Sequence, residues 1–194
     1  RAAILLIGHT GLRREEAATA TRRRLRKLPD HPALWELQVL GKRKKWRAVF
    51  LPERVVEALR SHWDDRGEEF EVISDAHLLS PLVIPPEIHA LRKHARSDAA
   101  AGFAPDSLYK VITKSLREIA ENPLLAMTDF EREFLSSRGV HAFRHTFGTL
   151  AAAKGVPLDV LQRTLGHASL QTTTIYVQAE RKRSIEEMSK FFNV

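Results

Sequence analysis

The chain has 194 residues, no cysteine, and 31 Lys and Arg against 24 Asp and Glu, a formal net charge of +7. That length suits one medium-sized domain, and 43% hydrophobic residues supply enough apolar surface for a core. The missing cysteines exclude a disulfide scaffold, a cysteine zinc site, a thiol nucleophile and an iron–sulfur centre, and no apolar run reaches the roughly 18 residues a membrane helix needs.

Ala2 to Ile7 reads as the end of a helix, and the absence of an initiator Met suggests a part of a longer polypeptide. Leu12 to roughly Arg26 reads as a second helix, with Glu15 and Glu16 in its first turn where the helix dipole favours acids. Pro29-Asp30-His31-Pro32 breaks the chain. Trp35, Leu37 and Val39 then alternate with Glu36 and Gln38, a strand pattern, and Trp46 to Leu51 resumes it after a basic turn opened by Gly41. These segments predict a hairpin over 35–51 with Lys and Arg at its tip.

Pro52 suits the start of a helix over Glu53 to Trp63 that carries Val55, Val56 and Leu59 on one face. Pro81, Pro85 and Pro86 punctuate 64–105, where loops and short elements are expected. Asp106 or Ser107 should cap a helix bearing Leu108, Val111, Ile112, Leu116 and Ile119. Further helices are predicted at about 129–136, 141–154, from Pro157 to a stop at Gly166, and 169–177. In the tail, Ile185, Met188, Phe191 and Phe192 share a helical face. The fold class predicted is α+β, mainly α-helical, with a small antiparallel sheet near the N-terminal part.

The charge is unevenly placed. Residues 1–60 hold 15 Lys and Arg and 6 Asp and Glu, a net of +9, whereas 61–140 hold 9 and 14, a net of −5. The excess lies in Arg22-Arg23-Arg24, Arg26-Lys27 and Lys42-Arg43-Lys44-Lys45. A local positive face is the footprint of a polyanion binder, although a charge run alone is equally a solvated surface.

One constellation stands out. In His141-Ala142-Phe143-Arg144-His145, His141 and Arg144 stand three apart on one face of a helix start, where amide donors and the dipole favour an anion. Leu165-Gly166-His167 follows, with Gly letting the backbone reverse, and nine residues beyond His167 comes Tyr176. Far upstream, Thr10-Gly11-Leu12-Arg13 places another arginine at a helix start. Singly each has a plainer reading; Arg13, for instance, could simply pair with Glu15 or Glu16. The His141/His145 spacing invites a metal, but the zinc-protease pattern needs Glu where Ala142 stands, so no metal is expected.

Together these residues resemble the catalytic domain of the tyrosine recombinase (phage integrase) family. TGLRREE, GKRKKWRAVFLP, HAFRHTF and LGHASLQTTTIY occur in the family's order, with 64–136 the least similar stretch. The resemblance implies an active site of Arg13, Lys42, His141, Arg144, His167 and Tyr176, with Glu16 supporting one of the basic groups. Where the family has Gly-Lys-Gly this chain has Gly41-Lys42-Arg43, so Lys44 and Lys45 rival Lys42. It further implies one catalytic domain over 1–194 without the family's N-terminal core-binding domain, double-stranded DNA as partner, and a homo-tetramer on DNA joined through 183–194, a segment that could equally fold back on its own domain. A cytoplasmic, bacterial or phage-encoded protein is implied as well.

The implied reaction is transesterification at a DNA phosphodiester. The Tyr176 hydroxyl attacks phosphorus, giving a 3′-phosphotyrosine and a free 5′ hydroxyl, and the phenol leaves readily when the strand is resealed. Arg13 and Arg144 would hold the non-bridging oxygens in place of a metal, so no cofactor is implied. Lys42 would protonate the departing oxygen, His141 would take or position the tyrosine proton, and His167 would bond a non-bridging oxygen. Arg22, Arg23, Arg24, Arg43, Lys44 and Lys45 would contact backbone phosphates. The rival from another class is a non-catalytic helix-turn-helix DNA-binding module over Val156 to Val177, which explains the charge but leaves the co-occurrence of Arg13, Arg144, His167 and Tyr176 as coincidence.

Overall fold

A computed structural model describes residues 1–41, 44–82 and 102–166, together with 185, 188 and 189. The predicted helices at 169–177 and along the tail, and the second half of the helix-turn-helix reading, lie outside these residues. Among the described residues there are seven helices and one three-stranded antiparallel sheet in the order β1-β2-β3. No helix among them is long and apolar enough to cross a membrane.

Helix α1 (Ala2–Thr10) buries Leu6 and Ile7 completely and ends at Gly11, which adopts φ +62° and donates its N–H to the Ile7 carbonyl. Arg13 caps α2 (Arg14–Thr19), with the Glu16 side chain accepting from its N–H. The predicted helix from Leu12 to Arg26 is thus corrected. It stops at Thr19, Ala20 and Thr21 are extended, Arg22–Arg24 form one 3₁₀ turn, and Leu25–Leu28 form strand β1. The reason is tertiary. The Arg22 and Arg23 N–H groups donate to the carbonyls of Ala76 and Ser74, and Leu25 is paired with Leu37, so the backbone that would continue the helix is bonded elsewhere.

Strands β2 (His31–Leu40) and β3 (Trp46–Pro52) form the predicted hairpin; β3 is one residue longer than read, and the predicted break at 29–32 is corrected, because β2 already starts at His31, which pairs with Leu28. The alternation holds: Trp35, Leu37 and Val39 of β2, with Val49 and Leu51 of β3 and Leu25 of β1, are buried on one face. Helix α3 (Glu53–Asp64) lays Val55, Val56, Leu59 and Trp63 on that face. Trp63 meets Phe70 edge-on at 5.4 Å and donates its indole N–H to the Leu78 carbonyl. Residues after α3, read as loops, therefore add Phe70, Leu78 and Leu79 to the core.

Helix α4 (Pro105–Glu121) buries Leu108, Ile112 and Leu116. It begins at Pro105, ahead of the predicted cap, because a proline loses nothing at a first helical position whose N–H has no partner. Helix α5 (Asp129–Ser136) is closed by a Thr128–Glu131 capping box. Helices α6 (Val140–Ala153) and α7 (Leu158–Leu165) pack around Ala152, Leu161 and Leu165, a second small core beside Phe147.

Gly11 lies where the two cores meet. A β-carbon there would stand 2.8 Å from both Leu165 Cδ2 and Phe147 Cδ1. Glycine therefore lets the end of α1 touch α6 and α7 directly, and this brings the distant segments of the site together.

Candidate active site

Arg144 sits one turn into α6 and is 8% exposed. Its Nη1 donates to the Gly11 carbonyl at 2.6 Å and its Nη2 to the Leu165 carbonyl at 2.5 Å. Arg13 approaches from the N-terminus of α2: Nη2 donates to the Gly166 carbonyl at 3.1 Å and Nη1 to Glu16 at 3.0 Å. The two guanidiniums, 131 positions apart in sequence, thus bond consecutive carbonyls at the end of α7. These carbonyls exist as acceptors because the last turn of a helix leaves them without N–H partners, and Gly166 (φ +64°) turns the chain there. Arg144 is held nearly solvent-free, while 27% of the Arg13 side chain stays exposed.

Glu16 underlies the pair. It is 4% exposed, and its carboxylate accepts from the Arg13 N–H at 2.8 Å and from Arg47 through two parallel bonds of 2.7 and 2.8 Å. Burial alone would raise its pKa; the bonds from Arg47 and Arg13 and their charge outweigh that and hold it below the usual carboxylate range. The plainer reading of Arg13 as a Glu16 ion pair is therefore realised. Arg47 further donates from Nε to the Thr164 carbonyl at 2.8 Å.

Arg47 was not among the residues singled out from sequence. The signal was its register: positions 47, 49 and 51 of β3 point inward, so a charge at the first of them requires a buried acid.

His141 lies exposed in the first turn of α6. It is near enough to Glu15 for its charge to help lower that carboxyl, mainly held down by a backbone N–H and then by Arg14. Lys42, Arg43, His167 and Tyr176 lie outside the described residues. Their chain neighbours Gly41 and Gly166 are described, and a methyl on either would stand within 3.2 Å of Arg47, at 2.9 Å for Gly41.

The basic run at 22–24 divides. Arg22 is 4% exposed, donates to the Phe70 and Leu25 carbonyls at 2.6 and 2.8 Å, and stacks 4.6 Å over Phe70. Its expected role at DNA phosphates is corrected: a guanidinium enclosed this way is a strut of the interior. Arg23 pairs with Asp75 at 3.0 Å on the surface, and Arg24 lies 4.5 Å over the Trp46 ring. Lys44 and Lys45 are exposed at the hairpin turn.

The phage integrase family profile matches residues 107–183. The tyrosine recombinase XerC of Thermodesulfovibrio yellowstonii is 28% identical over 79% of this chain, and XerH of Helicobacter pylori 25% identical over 97%. The chain is thus similar to tyrosine recombinases of the phage integrase family. The chain spans 43% of the length of each of those two relatives. Its fold matches a XerH recombinase solved in a post-cleavage complex with a palindromic difH substrate, at a TM-score of 0.64 and 24% identity over 97% of this chain and 44% of that one. The integrase of transposon Tn1549, solved with circular intermediate DNA, shares the fold at a TM-score of 0.56 and 18% identity over 90% of this chain and 52% of that one.

Proposed function

We propose that residues 1–194 are the catalytic domain of a site-specific DNA recombinase that breaks and rejoins strands through a 3′-phosphotyrosine at Tyr176. The observation that supports this best is the meeting of Arg13 and Arg144 at the carbonyls of 165 and 166, directly before His167 in the chain. Two permanent positive charges bonded to neighbouring carbonyls, one of them nearly buried, suit the pentacoordinate phosphorus that gains negative charge during attack. Lys42, or its rivals Lys44 and Lys45, gives the departing 5′ oxygen its proton from the hairpin. His141 handles the tyrosine proton, and His167 bonds a non-bridging oxygen. Return of the 5′ hydroxyl to phosphorus expels the phenol and reseals the strand, so neither ATP nor a metal enters the cycle.

Duplex DNA is held by Arg24, Lys44 and Lys45 together with the rest of the exposed basic face. The copies assemble as a tetramer on DNA through 183–194, and the protein works in the cytoplasm of a bacterium. Truncation after Glu180 should abolish assembly in gel filtration while folding persists.

The deciding experiment uses a pool of nicked duplexes with randomised flanks, incubated with the protein in EDTA and denatured. A covalent protein–DNA adduct should form, persist in Tyr109→Phe and vanish in Tyr176→Phe. An adduct that survives Tyr176→Phe, or that needs Mg²⁺, refutes the proposal.

A further inference from the structure

We infer that Arg47 is a positioning residue for the recombination site: by clamping Glu16 and the Thr164 carbonyl at once, it fixes Arg13 and the end of α7 against the turn of the β2–β3 hairpin. The inference rests on the recombinase reading above. It begins with burial. The Arg47 side chain is 11% exposed, and its bonds run to Glu16 and the Thr164 carbonyl inside the protein. It enters from β3 in the inward register shared with Val49 and Leu51, where an aliphatic side chain would serve packing alone.

Three N–H groups of its guanidinium are engaged at once, two on the Glu16 oxygens and one on the Thr164 carbonyl. A planar fork can do this, whereas an ammonium has one nitrogen for three acceptors in two directions. The two Glu16 oxygens are each shared. Oε1 takes Nη1 of Arg47 and Nη1 of Arg13, and Oε2 takes Nη2 of Arg47 and the Arg13 N–H. The aim of Arg13 therefore depends on the carboxylate, and the carboxylate is oriented by Arg47.

The same guanidinium fills the space between two glycines. A methyl on Gly41 would stand 2.9 Å from Arg47 Nη1, and one on Gly166 3.2 Å from its Cδ and Nε. One of these glycines precedes Lys42 in the chain and the other precedes His167. Arg47 thus meets the hairpin turn, the acid that holds Arg13, and the helix end whose carbonyls Arg13 and Arg144 bond.

Without Arg47, Glu16 stays buried beside Arg13 alone. It then either takes up a proton or turns away, and both release Arg13. Misplacing a reacting group by about 1 Å lowers a rate on the order of 100-fold.

The test is single-turnover cleavage in EDTA between pH 5.5 and 9, on a nicked duplex recovered from the randomised pool. Wild type is compared with Arg47→Met, Arg47→Lys and the double variant Arg47→Met/Glu16→Gln. Arg47→Met should lower the cleavage rate constant by about 100-fold, with duplex affinity and the reacting fraction within about twofold of wild type. It should also gain an acid limb in which the rate falls as Glu16 protonates, and that limb should disappear in the double variant. Arg47→Lys keeps the charge and loses the fork, so it should remain at least about tenfold slow; it carries the same test if Arg47→Met fails to fold. Wild-type rates with an unchanged pH profile overturn the inference, as does a loss confined to the reacting fraction. If wild type forms no adduct, the recombinase reading falls and this one with it. If wild type forms the adduct and Arg47→Met cleaves normally, only the role of Arg47 is refuted.

Discussion

Replacing Gly11 with alanine tests the junction on which the site depends. Two penalties are separable. An L-residue at φ +62° is strained by roughly 1–2 kcal/mol. The new methyl would also lie 2.8 Å from Leu165 Cδ2 and Phe147 Cδ1, and Leu165 is fully buried, so the neighbours must shift within a filled core at about 1–3 kcal/mol. Together these give about 2–5 kcal/mol, equivalent to a melting-temperature drop on the order of 10 °C for a chain of this size. Gly67 supplies the control: its φ is +68°, but a methyl there would meet nothing within 4 Å. Gly67→Ala should therefore show the backbone penalty alone, about 1–2 kcal/mol. Urea unfolding of both variants measures the difference directly as a change in midpoint at constant slope. Equal destabilisation by the two substitutions would mean that α1 does not approach α6 and α7 as closely as described, and the route by which Arg144 reaches the Gly11 carbonyl would fail with it.

The arginine run offers a second contrast. Arg22→Met should destabilise by on the order of 3 kcal/mol, because two buried carbonyls lose their donor. Arg24→Ala should leave the melting temperature unchanged, weaken duplex binding and flatten its dependence between about 50 and 200 mM salt, read by fluorescence anisotropy. A third prediction concerns pH. His62 is half-buried; burial lowers its pKa below the usual histidine value of 6.5, and the charge of Arg66 adds to this, while its Nε2 accepts from the Ser80 N–H at 3.2 Å. The unfolded chain then binds the proton more readily, so stability is fully present above about pH 6.5 and declines as pH falls toward the lower folded value. Glu16 and Glu53, whose pKa values are lowered, lose their contributions only below the usual glutamate value of 4.5, in a separate window. Melting scans at pH 7.5 and 5.5 should show the drop, and His62→Gln should remove most of it.

The elements that sequence reveals are those whose signal is local. Val55, Val56 and Leu59 of α3, and Leu108, Ile112 and Leu116 of α4, recur with the helical period, and Trp35, Leu37 and Val39 alternate, because each pattern records a face turned to one core. Strand β1 carries no such record. Its four residues follow a stretch rich in Ala and Arg that favours helix, and what overrides this is bonding to residues 74–78, some fifty positions on. Phe70, Leu78 and Leu79 are hidden for the same reason: their burial comes from where the chain returns to α3, and nothing periodic marks it.

The site divides along a similar line. Arg13 and Arg144 are legible because each belongs to a short string with a fixed place at a helix start, and the geometry around Gly11, Leu165 and Gly166 brings those strings together. Arg22, Arg23 and Arg24 are three identical letters in a row, yet a 3₁₀ turn leading into a strand sends them three ways: inward to carbonyls, outward to Asp75, and over the Trp46 ring. Arg47 is the converse, a single basic letter beside a basic turn that reads as more of the same surface. Only its parity with Val49 and Leu51 marks it as interior. A charge count along the chain therefore describes the field a distant polyanion feels. Which of those charges a phosphate can touch is decided by side-chain direction, residue by residue, and an inward-facing arginine with a buried acid opposite it is where a search for the framework of such a site should begin.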